Sequence, residues 1–429
     1  MSEPMIKEMY INLFDLLLTM AQATDLVSPK IHNHHLQVAY IVHNLANEMN
    51  LSPDKKDDLV VAGALHDIGA LSLREKLQIL TFEYKETWKH TELAYALLKL
   101  FDPLIYVAEI VRYHHCRWDD EETMAGESPD LKLASNILHL ADRVAVQINN
   151  KQHVLGQVQR IRDRIKIESG KMFMPDLVDT FLQLARKEYF WLNTVSPSLP
   201  SILKHHVALK SIKLDMNGLA GLTNLFRKVI DFRSRFTATH SSGVAAVAEA
   251  IALKVGFSRR DADKMKIAGF IHDFGKLAVS TEILEKPASL SRSEAYIIRC
   301  HTYFTFRILE PIPDLYEITT WGAFHHERLD GTGYPFHLTA QDLSLGSRIM
   351  TIADIFTAIT EDRPYRKRMP PEKALSNLQR LAARGKIDPG ITSLTRKHVE
   401  EINQVRLSAQ QSATSEYSQL LQLPGPPIP

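Results

Sequence analysis

Apolar side chains recur at helical spacing along almost the whole chain. Ile6, Met9, Ile11, Phe14, Leu17 and Leu18 share one period, which predicts a first helix over Ile6–Ala23. After the polar break Ser28–His35, the run LQVAYIVHNLANEM predicts a second amphipathic helix, and DDLVVAGALHDIGALS is nearly continuous in apolar residues before His66. Further helices are expected over Trp88–Leu100, Leu104–Tyr113 and Leu131–Ile148, and within residues 151–192, in QVQRIRDRIKIE and PDLVDTFLQLARKEYFWL. CRWDDEETMAGESPD between them is polar and turn-rich, an exposed loop. A second helical block runs through NGLAGLTNLFRKVIDF, TATHSSGVAAVAEAIALKVG, DKMKIAGFIHDFGKLAV and LGSRIMTIADIFTAIT. Alternating β-branched segments are scarce, so the fold class is all-α.

A chain of 429 residues exceeds what one core usually supports. Asn193–Ser201, with its prolines and serines, is the expected boundary. This gives a first domain over 1–200, a second over 201–407 and a loose tail over 408–429. Formal net charge is +1, so bulk electrostatics give no case for a DNA-binding surface. Two cysteines, Cys116 and Cys300, form no CxxC pair and no disulfide framework, which fits a reducing compartment. The first residues carry Glu3, Lys7, Glu8 and Asp15 and lack a signal-peptide pattern. No apolar run reaches membrane-spanning length, so a cytoplasmic protein is expected.

The two blocks repeat each other. His34 and His66 are 32 residues apart, as are His240 and His272; His90 to His114 is 24, as is His301 to His325. His115 to Asp142 is 27 against 28 from His326 to Asp354, and only the interval from the HD pair to the next histidine differs clearly, 24 against 29. VVAGALHDIGA parallels KIAGFIHDFGK, and SNILHLADRVA parallels SRIMTIADIFTA. Two copies of one helical unit follow. They are unequal, because Lys276 has Ala70 in its place and the GTGYP loop of the second copy has no counterpart in the first. A catalytic second copy and a regulatory or altered first copy are expected.

The second copy gathers His240, His272, Asp273, His301, His325, His326 and Asp354 within 115 residues. Charged or imidazole groups in such apolar surroundings are costly unless compensated, and a pair of divalent cations would compensate them. One ion is assigned His240, His272, Asp273 and Asp354. The other shares Asp273 and takes His301, His325 and His326. Iron or manganese suits this histidine-rich, oxygen-containing set, with zinc, nickel and cobalt left open. Two such ions can hold a hydroxide and polarise a phosphoryl oxygen. Lys276 is read either as a charge set against the phosphate or as a surface lysine, and Tyr334 either as a pocket wall or as loop packing. Arg363 and Arg366 offer guanidinium forks for a phosphodiester, or lie on a solvated face. His139, His205, His206 and His337 default to surface or ordinary hydrogen-bonded histidines, and Trp321 and Phe324 to core. In the first copy, His34, His66, Asp67, His90, His114, His115 and Asp142 form a second candidate site, retained for folding or hydrolysing with different chemistry. Retention for folding is favoured, because Ala70 replaces the lysine.

HDFGK at His272–Lys276, HHERLDGTGYP at His325–Pro335 and IADIFTAITEDRPYR at Ile352–Arg366 together resemble the HD-GYP domain of the HD phosphohydrolase superfamily. The resemblance covers about Leu219–Arg396, and the first copy is similar to a degenerate HD domain. It implies tandem HD-type helical domains, a bimetal centre, and bacterial signalling through hydrolysis of cyclic di-GMP to linear pGpG. The alternatives are 3′,3′-cyclic GMP-AMP, another nucleotide, or a non-catalytic cyclic-dinucleotide-binding adaptor. By the same resemblance the seven residues of the second copy are metal ligands, Asp273 and Lys276 are catalytic, and Arg363 and Arg366 contact phosphate. Members with a third metal carry a glutamate where this chain has Phe236, so a dinuclear site is expected. The aspartate common three residues after the last ligand is Thr357 here. A homodimer and signalling-protein partners complete the expectations.

Overall fold

The computed structural model describes residues 10–28, 31, 33–82, 88–120, 122–206, 212–233, 239–362 and 367–421. It is all-α, and the named strands among the described residues, Ile11–Asn12 and Lys213–Leu214, are two residues long. The chain divides into two compact units, one spanning Asn12–Ile212 and the other taking the chain from Lys213.

In the first unit the helices are α1 (Leu13–Asp25), α2 (His34–Glu48), α3 (Pro53–Leu65), α4 (Leu73–Ile79), α5 (Trp88–Leu98), α6 (Ile105–Arg112), α7 (Pro129–Val146), α8 (Val158–Ile167), α9 (Pro175–Leu184), α10 (Glu188–Thr194) and α11 (Leu199–His206). The second unit has α12 (Met216–Phe232), α13 (His240–Val255), α14 (Arg259–Ile271), α15 (Thr281–Leu284), α16 (Arg292–Leu309), α17 (Tyr316–Ala323), α18 (Leu345–Thr360), α19 (Pro371–Ala383), α20 (Pro389–Lys397) and α21 (Val399–Leu421).

Local signals set these ends. Ser258 caps α14 by accepting from the Asp261 amide, and Ser291 with Glu294 forms a capping box on α16. The second unit is built around α13, which packs on α14, α18 and α21. α2 packs likewise on α3 and α7 in the first unit. Both crossings are tight. A Cβ at Gly269 would lie 2.5 Å from Ala245 Cα, and one at Gly63 would lie 2.8 Å from Ala39 Cα. A methyl group there would push apart the two helices that carry the first histidine and the HD pair.

The structure differs from the sequence expectations in four places. α1 starts at Leu13, where the Asn12 side chain accepts from the Phe14 amide at 2.9 Å, and residues 1–9 lie outside the described residues. ARKEYFWL does not continue one helix: α9 ends at Leu184, and Trp191 donates back to the Ala185 carbonyl at 3.0 Å. Asn193–Ser201 is a turn from α10 into α11 rather than a linker. Leu199 and Leu203 are buried and Pro200 sits in the first turn of α11, while the division of the chain falls at Ile212–Lys213. The tail expected to be loose from residue 408 is helical in α21 as far as Leu421. Its sequence is polar because its contacts are. Arg227 and Lys228 of α12 reach Glu416 at 3.0 and 3.2 Å, and Gln410 donates to Glu361 at 3.0 Å. Residues 422–429 lie outside the described residues.

Candidate metal centres

In the second unit, helix ends and helix faces deliver all seven expected side chains to one place. His240 opens α13, His272-Asp273 closes α14, His301 lies within α16, His325-His326 follows α17, and Asp354 lies within α18. His272, His301 and His325 each donate from Nδ1 to the carbonyl three residues earlier, Gly269 at 2.8 Å, Ile298 at 2.6 Å and Gly322 at 2.7 Å. That bond fixes the tautomer and turns each Nε2 lone pair inward. His240 is oriented differently, by the Glu361 carboxylate 2.8 Å from its Nδ1.

Asp273 lies between two sets of imidazoles. Its Oδ2 is 3.1 Å from His272 Nε2 and 4.0 Å from His240 Nε2, while its Oδ1 is 3.3 Å from His301 Nε2. His301 and His325 face each other with their Nε2 atoms 3.3 Å apart. Asp354 places Oδ1 3.2 Å from His240 Nε2 and Oδ2 3.9 Å from His326 Nδ1, so its two oxygens also face different imidazoles. The potential ligand atoms form two groups, His240, His272 and Asp273, and His301, His325 and His326. Donors bound at about 2.1 Å to a common ion lie roughly 3.0–3.4 Å apart, close to most of these separations. His272 Nε2 is buried without a hydrogen-bond partner, a state that a metal relieves. The residues therefore fit two divalent cations.

The electrostatics agree. Burial holds His301 down to about 4 and His326 down to about 3, so both rings are neutral with lone pairs available. Burial would raise Asp273, yet His272, Lys276 and His301 hold its carboxyl well below the usual range. Asp354 is likewise held down, against burial, by His240, His326 and His325.

Lys276 is not a surface lysine: its side chain is mostly buried, with Nζ 2.5 Å from Asp273 Oδ2. The turn that carries it, Phe274–Ala278, is fixed by Arg233, which donates to the carbonyls of Lys276 and Val279 at 2.9 Å each. It is fixed also by Gly275, where a Cβ would fall 1.9 Å from the His301 carbonyl oxygen. The Tyr334 ring lies 4.9 Å from the His326 ring, and the Arg299 guanidinium lies 4.3 Å from the Tyr334 ring centre. Glu327 pins the GYP loop by accepting from the Phe336 and Leu338 amides at 2.7 and 3.1 Å. Trp321 is core, and Phe324 packs against Phe306 and Phe336. Thr357 is buried on α18. His205 and His337 are exposed. Arg363, Arg366 and Phe236 lie outside the described residues, as does the side chain of His206. Sequence reasoning missed Glu361, Glu327 and Arg299. Glu361 had a signal: it follows Asp354 by seven residues, two helical turns.

The first unit assembles its seven residues in the same order. His34 opens α2, His66-Asp67 closes α3, His90 lies in α5, His114-His115 follows α6, and Asp142 lies in α7. His66 and His114 donate to the Gly63 and Val111 carbonyls at 2.9 and 2.6 Å. Asp67 Oδ2 is 3.3 Å from His66 Nε2, and its Oδ1 is 3.6 and 3.8 Å from His90 and His114 Nε2. His34 Nε2 is 3.3 Å from Asp142 Oδ1. Again there are two groups, His34, His66 and Asp142, and Asp67, His90, His114 and His115. His139 is buried rather than superficial. Its ring lies 5.6 Å from that of His115, its Nδ1 donates to the Cys116 carbonyl at 3.1 Å, and burial lowers it to about 3.

Residues 31–147 and residues 224–391 each match the HD domain family, and each match encloses one of the ligand sets. The chain is a tandem HD-domain protein. A 3′3′-cGAMP-specific phosphodiesterase (number 1) of Vibrio cholerae is 28% identical over 415 residues, covering 94% of this chain and 95% of that protein. A cyclic di-GMP phosphodiesterase of Pseudomonas aeruginosa is 34% identical over 157 residues, 36% of this chain and 37% of that protein. Among solved structures, a cyclic GMP-AMP-specific phosphodiesterase from V. cholerae superposes with a TM-score of 0.63 at 23% identity, covering 91% of this chain and 98% of that one. That likeness establishes the tandem fold. With its paired His/Asp clusters, this HD-domain protein is a metal-dependent phosphohydrolase homologous to the HD-GYP enzymes. No helix among the described residues is long and apolar enough to cross a membrane.

Proposed function

We propose that this protein is a cyclic-dinucleotide phosphodiesterase acting at the His240–Asp354 centre of the second unit, with 3′,3′-cyclic GMP-AMP as its substrate. The chemistry rests on one observation: Asp273 turns each oxygen toward a different set of imidazoles, which suits a carboxylate shared by two cations. When bound, the two cations, iron or manganese by the histidine-rich donor set, supply Lewis acidity and lower the pKa of water. Attack of water on phosphorus breaks one P–O3′ bond and leaves a linear dinucleotide with a 5′-phosphate and a free 3′-hydroxyl.

The chain's own groups set the geometry around that step. The inward Nε2 atoms and the carboxylates hold the cations. Lys276, fixed by its ion pair with Asp273, sets a positive charge where the phosphorane develops. Tyr334, beside His326 and under the Arg299 guanidinium, is the aromatic candidate for contact with a purine. Arg363 and Arg366 are the phosphate-contacting candidates from the sequence.

Cyclic di-GMP was the expected substrate. The relatives that match across both units favour the cGAMP reading, because two of them, 28% and 25% identical over 415 residues, are named as 3′3′-cGAMP-specific. Those named for cyclic di-GMP match over smaller shares, such as 36% of this chain. The test is a comparison of kcat/KM for the two dinucleotides, measured anaerobically on metal-quantified protein. A preference for 3′,3′-cGAMP is expected. A preference for cyclic di-GMP would return the assignment to the original expectation, and hydrolysis of neither would sink the phosphodiesterase reading.

A further inference from the structure

The first unit keeps a full ligand set but surrounds it differently. His34, His66, His90 and His114 each present a buried Nε2 with no hydrogen-bond partner of acceptable geometry, and so do Asp67 Oδ1 and Asp142 Oδ1. Six converging, buried, unpartnered nitrogen and oxygen atoms are far outside what a folded protein tolerates without a ligand. They sit 3.3–3.8 Å from one another across the two carboxylates. No thiolate is among them, so the donors suit the same class of divalent cation as the second unit.

What this cluster lacks is the apparatus of turnover. Ala70, buried, stands where Lys276 stands, so among the described residues no ammonium faces the shared carboxylate. The outer oxygen of Asp142 is taken by Arg143, whose Nη2 and Nε donate to Oδ2 at 2.6 and 3.1 Å. Arg143 cannot swing aside cheaply, because its remaining donors go to the carbonyls of Ile79 at 2.9 Å, Thr81 at 2.5 Å and Phe82 at 3.2 Å. The Asp142 side chain is 2% exposed, against 10% for Asp354. A closed ligand shell is the mark of a structural metal site, and an open position that of a catalytic one.

We propose that the first HD domain holds a dinuclear metal centre of its own, sealed by the Arg143–Asp142 pair, that ties α2, α3, α5 and α7 together and does not hydrolyse phosphodiesters. Through Arg143 the same centre anchors the C-terminal end of α4.

The test counts metals by plasma mass spectrometry in the full-length wild type, Asp273→Ala and Asp67→Asn, with turnover of 3′,3′-cGAMP followed in parallel. Wild type should carry about four ions per chain, two per centre. Asp273→Ala should keep about two ions while losing all turnover. Asp67→Asn should lose the ions of the first unit, and its first-unit unfolding should no longer respond to chelator. If Asp67→Asn fails to fold, His90→Gln removes one ligand of the same centre and should lower the count likewise. An Asp273→Ala protein free of metal would overturn the proposal. So would one that retains metal and still cleaves the dinucleotide. Wild type with four ions and no turnover, and Asp273→Ala with two, would support this centre while defeating the phosphodiesterase reading.

Discussion

In the second unit the bridging Asp273 carries an ammonium at 2.5 Å, and Asp354 turns both oxygens toward imidazoles. In the first unit Asp67 has no lysine beside it among the described residues, with Ala70 at the corresponding position, and Asp142 gives one oxygen to a buried guanidinium. The ligand spacing, the inward turn of the imidazoles and the close helix crossing are shared. The charged groups behind the carboxylates are not. On the proposed reading, one scaffold keeps the means of holding cations while losing the means of using them, since holding depends on helix placement and use depends on a few side chains around it.

Exchanging those side chains would break the comparison most sharply. Lys276→Met should lower kcat on the order of 10²-fold, as removal of one positioned charge does, with metal content unchanged. Ala70→Lys should leave turnover where it was, because Arg143 still covers Asp142. Steady-state kinetics with metal counts decides both, and a gain of activity from Ala70→Lys would show that the missing lysine alone silences the first unit.

Glu361→Gln addresses the orientation of His240. Weakening the carboxylate behind a ligating imidazole should lower metal affinity roughly 10–100-fold in the second unit only. Competition with a chelator reads this directly. Equal loss from both units would contradict the independence of the centres.

The paired glycines test what the units share. Gly275→Ala would drive a methyl group to 1.9 Å from the His301 carbonyl, and Gly69→Ala to 2.1 Å from the His90 carbonyl. Each should cost about 1–3 kcal/mol of stability or more, measured by denaturant unfolding, and the two should be similar.

The smallest effect is with pH. In metal-free protein, His301 at about 4, His326 at about 3 and His114 at about 3 stay neutral in the fold, whereas unfolded imidazoles titrate near 6.5. Between pH 6.5 and 4 the unfolded chain binds more protons, so stability falls as pH drops through that window. Denaturant midpoints at pH 7 and pH 5 should show this loss in both units, and bound metal, which keeps its imidazole ligands deprotonated, should not diminish it.

Much of this was legible in the sequence, for reasons that differ from part to part. The clustering of the histidines and aspartates could be read because helical spacing and the repeated intervals of 32 and 24 residues constrain each other. Tandem helical architecture followed from the same repeat. The roles of Glu327 and Arg143 could not be read, because a lone charged residue looks the same in sequence whether it faces water or a buried partner; Glu361 differs, since its spacing of seven from Asp354 places it two helical turns on. α21 was missed beyond residue 408 because several of its contacts there are polar: Gln410 bonds Glu361, and Glu416 meets Arg227 and Lys228. Pro200, one of the linker signals in Asn193–Ser201, lies in the first turn of α11, a place proline takes as readily as a linker.

On the proposed function, cyclic-dinucleotide hydrolysis belongs to the second unit and depends on Asp273. Its most direct test is turnover of 3′,3′-cyclic GMP-AMP by purified Asp273→Ala beside wild type, with helical content checked by circular dichroism. Turnover is expected in the wild type and none in a folded Asp273→Ala protein. Residual hydrolysis in that variant, abolished by adding Asp67→Ala, would place the chemistry in the first unit and contradict it.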